Sequence, residues 1–365
     1  MSDTYAIDSH KLIYHPKRVT QLLDAKGNWQ KAQKIYPIYM EISPIGACNH
    51  RCNFCAVDYL EYKSNRLKEN LLKQRLHEMG TLGIKAIMYA GEGEPLLHTG
   101  MNQIIEETRK AGINAALTSN FTIVPRNFIQ KSLPHLSWIK ISINAGTREN
   151  YAHIHQTKPE DFDKALEHMA EASHFRKKHH LNCTIGAQAL LLPENATEME
   201  TLARICRDEL KIDYLVIKPY SQHPFSQTRV YEEINYQPFM DLEIPLTTLS
   251  TPNFKVIFRK QTMARLNTQE RYDRCHATPH LWAYIMADGT VSACSAFLGD
   301  ERFEYGNIYT NTFQEIWEGE KRQKGWEFIN QELDISTCRT NCRMDAVNRY
   351  LHKLQSDSIP HVNFI

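Results

Sequence analysis

The residues best suited to chemistry in this sequence of 365 residues are its nine cysteines. They form an early group, a late group and two isolated thiols: Cys48, Cys52 and Cys55; Cys275, Cys294, Cys338 and Cys342; and Cys183 and Cys206. In a reducing compartment, clustered cysteines are metal ligands more often than disulfides. The two groups therefore predict two metal centres.

The early group has the spacing Cys-x3-Cys-x2-Cys in the segment SPIGACNHRCNFCAVDY. Three thiolates this close can wrap one face of a metal centre, but they leave it one ligand short of the usual four. His50 lies inside the loop, where its backbone geometry makes binding to the same ion awkward. A [4Fe-4S] cluster with one iron free of protein ligands fits better than a zinc loop or accidental thiols, which are the alternatives.

This spacing, on a loop after the first predicted strand, resembles the signature of the radical S-adenosylmethionine (SAM) superfamily. The resemblance implies that the open iron binds the amino and carboxylate groups of SAM. It also implies that the reduced cluster cleaves SAM to a 5′-deoxyadenosyl radical, which abstracts a hydrogen atom from a substrate. Phe54 would then lie near the adenine, with simple packing as the alternative.

A second motif, Gly91-Glu92-Gly93-Glu94-Pro95, follows the second predicted strand and resembles the family's Gly-Gly-Glu-Pro element. Glycines let the backbone approach a ligand, and the Glu94 carboxylate can accept hydrogen bonds from the ammonium group of SAM. Glu92 stands where many family members have another glycine. It either turns to solvent or points into the site, where it is a candidate catalytic contact.

Polar residues at the ends of the next strands are further candidates for binding SAM. Ser119 and Asn120 end the third strand, and Ser142 and Asn144 share one face at the end of the fourth. By the resemblance, the fourth-strand pair contacts the ribose or carboxylate of SAM, and Gln188 on the fifth strand lies where adenine contacts occur. Ordinary turn or core roles are the alternatives.

Residues after the sixth strand are candidates for substrate contact. Lys218, Tyr220 and His223 face the same mouth, with a solvated loop as the alternative. Cys183 and Cys206 fit buried structural thiols, although a cysteine that donates a hydrogen atom is known in radical epimerases, and either thiol is a candidate for that role.

The late cysteines lie two around a predicted hairpin, WAYIMADGTVSAC, and two before a helix. Four cysteines can complete one tetrahedral site. The arrangement resembles the auxiliary-cluster module called SPASM, or its shorter twitch form. Because the full form uses seven cysteines, the resemblance favours the twitch form with one fully ligated [4Fe-4S] cluster that moves electrons or holds structure. Zinc bound by the same four thiolates is the alternative, and His276 is a loop or supporting residue.

The elements that must position these residues follow a βα rhythm between residues 37 and 220. Six apolar runs have strand character: 38–43, 86–90, 115–119, 138–143, 184–191 and 214–219. Between the first two, an apolar stripe ending at Gly83 predicts a crossover helix. The pattern predicts an α/β fold, a partial (β/α)6 TIM-like barrel, with active residues at the carboxyl ends of the strands.

The rhythm stops near residue 255, which predicts three parts: an N-terminal extension at 1–36, a radical SAM barrel at 37–255, and a small α+β module with the C-terminal tail at 256–365. In the last part, Asp288-Gly289 suits a tight type I′ turn in the hairpin. Two helices are predicted after the hairpin, one around Trp317 and one around Leu351.

Composition narrows the partners. The sequence carries 43 Lys and Arg against 42 Asp and Glu, so no net field favours nucleic acid or an anionic membrane. The N-terminus lacks the apolar run of a signal peptide, and no stretch reaches the length of a membrane span. We therefore expect a cytoplasmic protein without a nucleic-acid or membrane partner.

The resemblance implies a radical SAM enzyme, and its reducing partner would be a flavodoxin or ferredoxin. The first candidate substrate is a small polar molecule, such as a sugar, aminocyclitol or nucleotide sugar, which is dehydrogenated or epimerised. The second candidate is a ribosomally made peptide, although about 36 residues before the barrel look short for a fused leader-binding domain. A non-catalytic iron–sulfur electron carrier is the third.

Overall fold

The strands of the protein form a single sheet. In the computed structural model, which describes residues 4–266, 271–356 and 360–364, they are β1 Tyr39–Ile42, β2 Ala86–Tyr89, β3 Asn114–Ser119, β4 Leu136–Ser142, β5 Thr184–Leu191, β6 Tyr214–Pro219, β7 Lys255–Phe258, β8 Trp282–Ile285, β9 Thr290–Ser292 and β10 Glu304–Asn307. Their order is β10-β9-β8-β1-β2-β3-β4-β5-β6-β7. All six predicted strands are present and parallel, which confirms the α/β partial barrel.

Helices cover one face of this sheet, and further helices lie before the first strand and after the last one. The α-helices are α1 Pro16–Ala25, α2 Trp29–Ala32, α3 Glu69–Thr81, α4 Met101–Lys110, α5 Phe128–Ser132, α6 Arg148–His155, α7 Glu160–Lys178, α8 Met199–Arg204, α9 Glu243–Thr248, α10 Lys260–Arg265, α11 Thr278–Leu281, α12 Phe313–Glu318, α13 Glu320–Gln331 and α14 Asp345–Gln355. The predicted crossover helix is α3, and Gly83 follows it with a φ of 90°. The helix α13 was not predicted. No helix in the described ranges has the length and apolar character that crossing a bilayer requires.

Both edges of the barrel sheet carry strands beyond the six predicted. On one edge β7 adds a seventh parallel strand beside β6. On the other edge β8 pairs parallel with β1, and β9 and β10 continue from it as antiparallel strands. The sheet therefore runs without a break across position 255. The four residues of β7 are too few to give a clear periodic signal, which is why the sequence did not reveal them.

The hairpin of β8 and β9 is present, but the prediction of its turn type is wrong. A type I′ turn needs a positive φ at both central residues, and only Gly289 has one, at 92°. The Met286 N–H donates to the Thr290 carbonyl, and the Gly289 N–H donates to the Met286 carbonyl. The loop therefore has three residues and fits a type I turn followed by a left-handed glycine.

The N-terminal segment packs against distant parts of the chain. Side chains of α1 and α2 share a core with the C-terminal elements, with Leu22 and Ala32 in one cluster with Leu281, Trp326 and Leu351. Earlier in the chain, Tyr5 and Ile7 pack on Tyr214 and Val216, which face the inside of the barrel. The N-terminal extension thus joins the two halves of the molecule.

Alternation along the strands separates a helix-covered outer face from an inner face. In β4, Ile139 and Ile141 are fully buried in the main core, whereas Trp138, Lys140 and Ser142 are half-buried. We call the space in front of these inward side chains the barrel lumen. Some side chains of its walls keep part of their surface exposed.

Candidate functional site

The early cysteines lie together in the loop after β1, at the carboxyl end of the strand. Cys48, Cys52 and Cys55 are half-buried and free of disulfides. Burial raises the pKa of Cys48 to about 12 and the pKa of Cys52 well above its usual value, and the neighbouring thiols raise both further. Such thiols become thiolates beside the positive charge of a metal. Three sulfur donors without a carboxylate among them fit an iron–sulfur cluster.

His50, inside this loop, lies closer to Cys52 Sγ than the sequence suggested. A nitrogen of His50, Cys52 Sγ and a nitrogen of His155 all lie within 4.8 Å of one another. Burial lowers the pKa of His50 to about 4, so its ring is neutral. Two histidines and one cysteine suit zinc by donor type, but these ligands would leave Cys48 and Cys55 unused. The three cysteines together therefore describe the metal site of the loop better.

The buried polar chain behind Cys52 determines which nitrogen of His155 carries the proton. Asn144 Oδ1 accepts the Leu190 N–H at 2.6 Å, so Asn144 Nδ2 must be the atom 3.1 Å from His155 Nε2. Nε2 therefore accepts, and the proton sits on Nδ1, which lies 3.4 Å from Cys52 Sγ. Burial lowers the pKa of His155 well below its usual value, so the ring is neutral and donates this hydrogen bond to the sulfur.

Glycines in the second motif allow two loops to approach closely. A Cβ on Gly93 would lie 2.0 Å from the Ala47 carbonyl oxygen, next to Cys48, and a Cβ on Gly91 would lie 2.5 Å from Ser43 Oγ. The Glu94 N–H donates to the same Ala47 carbonyl at 2.9 Å. The glycines are thus needed for contact with the cysteine loop itself.

Glu94 is buried behind the cysteine loop and is already hydrogen-bonded. Its carboxylate accepts the Leu96 N–H at 3.0 Å, Ser119 Oγ at 2.7 Å and the Asn120 N–H at 2.8 Å. Burial raises the pKa of Glu94. A carboxylate can accept about four hydrogen bonds, so one site remains for the ammonium group of a ligand. Ser119, predicted to touch SAM, is occupied with holding this carboxylate.

Glu92 points neither to open solvent nor toward the three cysteines. Its carboxylate accepts the Ala287 N–H at 2.8 Å, in the turn between β8 and β9. Burial raises the pKa of Glu92 to about 7, and the charge of Asp288 adds to this shift. Glu92 therefore joins the glycine-rich loop to the C-terminal hairpin.

The remaining predicted SAM contacts lie around the same mouth. Phe54 meets the His155 ring edge-on at 5.4 Å between centroids and packs beside Leu190. Ser142 and Gln188 are register partners on β4 and β5, both half-buried and on the lumen face. Asn144 is not free in the same way, because its side chain holds His155 and Leu190.

The three candidates after the sixth strand have different surroundings. Lys218 is half-buried on the lumen face of β6. Tyr220 donates its hydroxyl to Gln222 at 2.8 Å. His223 is buried, accepts the Phe225 N–H at Nδ1 and therefore donates Nε2–H to the Ser295 carbonyl at 3.2 Å. Because both ring nitrogens are used, His223 holds the sixth-strand loop to the C-terminal module and is not free for a substrate.

The isolated thiols are far from the mouth in the fold. Cys183 directly precedes β5, at the amino end of the strand, and is buried in the main core. Cys206 is fully buried in the same core. The cysteine loop follows the carboxyl end of a parallel strand, so Cys183 lies at the opposite end of the barrel. Both thiols therefore pack in the core, as the structural alternative expected, and the hydrogen-donor role stays a prediction.

The late cysteines converge after the hairpin. Burial raises the pKa of Cys294 well above its usual value, and charges on Cys342, Cys275 and Cys338 raise it further, so these three thiols lie in the neighbourhood of Cys294. Asn348 Nδ2 lies 3.4 Å from Cys275 Sγ, and the Ala296 N–H lies 3.4 Å from Cys294 Sγ. Four sulfurs supported by hydrogen-bond donors fit a fully ligated cluster.

Sequence reasoning missed several cations near the lumen. Lys140 lies on the lumen face of β4, and Arg339 and Arg343 directly follow two of the late cysteines. Arg343 pairs with Glu41 of β1, and Arg339 donates to the Ser221 carbonyl after β6. The sequence did show that an arginine directly follows Cys338 and Cys342. Only the fold shows that this C-terminal loop lies against the barrel strands.

An open parallel barrel with a three-cysteine loop at its mouth and a four-cysteine module beside it defines a class of iron–sulfur enzymes, and two family models match accordingly. The radical SAM superfamily model matches residues 42–205, and the SPASM iron–sulfur cluster-binding domain matches residues 275–343. The chain belongs to the radical SAM superfamily and carries a SPASM-type module. It is therefore an enzyme that uses SAM, a SAM-binding [4Fe-4S] cluster and an auxiliary iron–sulfur cluster.

Individual relatives are distant. The chain is 22% identical to a tungsten-containing aldehyde ferredoxin oxidoreductase cofactor-modifying protein from Pyrococcus furiosus, over 84% of this chain and 87% of that one. It is 28% identical to a GTP 3′,8-cyclase from Stenotrophomonas maltophilia, over 50% of this chain and 52% of the cyclase. Streptococcus suis SuiB, solved with its precursor peptide SuiA, shares the fold at a TM-score of 0.66 and 15% identity, covering 93% of this chain and 77% of SuiB.

Proposed function

We propose that this enzyme abstracts a hydrogen atom from a small polar substrate held in the barrel lumen, and that it dehydrogenates or epimerises that substrate. The observation that carries the proposal is the cysteine loop at the mouth of a lumen lined by half-buried polar side chains, with a second cysteine group beyond it. Such a lumen suits a small molecule that is enclosed entirely, and not one segment of a longer peptide.

Cys48, Cys52 and Cys55 hold the first cluster, and the four late cysteines hold the second. When bound, the first cluster with SAM supplies abstraction of a carbon-bound hydrogen, and the second cluster supplies an acceptor for one electron. Glu94 orients the ammonium group of SAM, while Phe54, Ser142 and Gln188 lie where its adenosyl part would contact the strand ends. A flavodoxin or ferredoxin is the proposed reductant.

Dehydrogenation is favoured because the late cysteines leave no cluster position open for a substrate. His223 ties the sixth-strand loop to Ser295, next to Cys294, so the module is held at the lumen. A cluster in a module beside the barrel lumen is well placed to accept an electron from a substrate that has lost a hydrogen atom.

The second candidate is modification of a ribosomally made peptide. It is supported by the likeness in fold to SuiB, which was solved with its precursor peptide. The relatives named as a cofactor-modifying protein and a GTP cyclase support a small molecule instead. Mass spectrometry of a reaction with small polar substrates, compared with one containing candidate peptides, separates the two by which compound loses two mass units or exchanges hydrogen with solvent.

The division of labour between the two cysteine groups is testable. Replacing Cys48, Cys52 and Cys55 with alanine should abolish SAM cleavage under strong reduction and leave about four irons per chain. Replacing the four late cysteines should leave the first cluster and uncoupled SAM cleavage. The measurements are iron and sulfide content, electron paramagnetic resonance and 5′-deoxyadenosine release.

Cys183→Ala is the matched control, because Cys183 lies in the main core. It should keep about eight irons and normal cleavage. Retention of all iron by both multiple variants would refute the ligand assignment.

A further inference from the structure

Positive side chains gather on the lumen side of the barrel from five separate places in the chain. They are Lys140 on β4, Lys218 on β6, Arg259 directly after β7, and Arg339 and Arg343 beside the late cysteines. Burial lowers the pKa of Lys218 well below its usual value, and the charges on Lys140, Arg259, Arg339 and Arg343 lower it further, so all five lie within one electrostatic neighbourhood.

Acidic groups offset only part of this charge. Glu41 on β1 pairs with Arg343, and Asp8 pairs with Arg259 at 3.2 Å. Among the described residues no carboxylate forms an ion pair with Lys140 or Lys218, although the charge of Glu41 acts on Lys140, whose ammonium lies 5.6 Å from the centre of the Trp138 ring. Because an unpaired ammonium group is costly to bury, the pKa of Lys140 is lowered to about 7 and that of Lys218 lies well below its usual value, and an anion bound between them would restore their positive charge.

These cations also remain accessible. Lys140 and Lys218 are half-buried, and the Arg343 side chain is 42% exposed although it reaches Glu41, which is itself buried. The strand register sets them around the predicted SAM contacts. On β4, Lys140 comes two residues before Ser142. On β6, Lys218 pairs with Leu190, which comes two residues after Gln188 on β5. An anion bound there would lie next to the mouth.

A different explanation is that the cations balance the negative charge of the auxiliary cluster. It suits Arg339 and Arg343, which follow ligand cysteines directly. It suits Lys140 less well, because β1, β2 and β3 separate its strand β4 from the hairpin strand β8 in the sheet, even though the charge of Arg343 acts on Lys140. Lys140 is therefore the residue that best separates a ligand site from charge balance of the auxiliary cluster.

We propose that the substrate carries a phosphate or diphosphate group, and that Lys140 and Lys218 bind this group in the lumen with Arg343. This inference rests on the proposed function and names the substrate class of the same site. Compact ammonium groups approaching from several strands suit a multiply charged phosphate, whereas a planar carboxylate is better matched by a single arginine fork. A peptide main chain carries no charge that would use these lysines.

The test measures pyrophosphate binding to the reconstituted enzyme by calorimetry, with saturating SAM present so that the open iron is occupied. The variants are K140Q/K218Q, the charge-preserving K140R/K218R, and K324Q as a control on an exposed lysine of α13, 71% exposed. We expect the wild type, K324Q and K140R/K218R to bind, and K140Q/K218Q to bind roughly tenfold more weakly or worse. A triglutamate peptide should bind more weakly than pyrophosphate.

Several outcomes would overturn the proposal. They are absent pyrophosphate binding in the wild type, equal binding by K140Q/K218Q and K324Q, stronger binding of triglutamate, or a shifted auxiliary-cluster potential in K140Q/K218Q with unchanged binding. If K140Q/K218Q does not retain its iron, the single variant K218Q and the salt dependence of wild-type binding decide the question. SAM cleavage without substrate is measured in parallel. Its absence in the wild type would refute the proposed function and would leave the anion site untouched.

Discussion

At the scale of single residues, His155 connects a buried polar chain to a proposed cluster ligand. Asn144 fixes the proton on Nδ1, and this nitrogen faces Cys52 Sγ at 3.4 Å. A hydrogen bond to a ligand sulfur spreads its negative charge and favours the reduced state of a cluster. The residue is thus a positioning residue for Cys52, and it would also affect the reduction potential of a cluster that Cys52 holds.

Replacing His155 with phenylalanine should lower the midpoint potential of the first cluster by roughly 20–60 mV. The range follows from about 1 kcal/mol for one hydrogen bond and about 59 mV per tenfold change for one electron. The measurement is a redox titration followed by electron paramagnetic resonance in the variant that lacks the late cysteines. His153→Phe, an exposed position on the same helix, is the control. An unchanged potential in H155F would mean that the contact does not act on the cluster.

At the scale of elements, Glu92 joins the glycine-rich loop after β2 to the turn between β8 and β9. Its pKa is raised to about 7, mainly by burial, so the folded protein binds this proton more tightly than the unfolded chain does. The stabilisation from that proton is complete below about pH 4.5 and is lost as the pH rises through 7. Above pH 7, the buried charge weakens the junction.

Replacing Glu92 with glutamine should remove this pH dependence while keeping an acceptor for the Ala287 N–H. We expect little difference from the wild type at pH 5 and a variant more stable by roughly 1–3 kcal/mol at pH 8. Anaerobic thermal melts at the two pH values measure the effect. Glu61→Gln, at a side chain 69% exposed, is the control. A constant difference between pH 5 and pH 8 would contradict the assignment.

At the scale of the whole molecule, Arg322 on α13 ties three parts of the chain together. Its side chain is fully buried and donates to the Trp317 and Pro279 carbonyls at 2.7 Å, and to the Ala32 carbonyl at 3.4 Å. It also stacks on the rings of Trp29 and Trp317. The N-terminal extension and the C-terminal module are therefore fastened at one cation.

Replacing Arg322 with leucine should destabilise the protein by about 3–5 kcal/mol, because three buried carbonyls lose their donor. The loss appears as a lower melting temperature. Arg302→Leu is the matched control, since Arg302 is 59% exposed and its loss should change stability by about 0.5 kcal/mol or less. Equal melting temperatures of R322L and R302L would show that the extension is held by apolar packing alone.

The amino-acid sequence alone determined the α/β class, the six barrel strands and the two cysteine groups. Local spacing and period-two or helical alternation carry these features, and they act over a few residues. Tertiary structure decided what lies between distant segments: the donor for Cys52, the partner of Glu92, the burial of Cys183 in the core and the cations around Lys218. These depend on which strand ends meet and which loop crosses the lumen, and contacts over a hundred or more residues leave no periodic trace in the sequence.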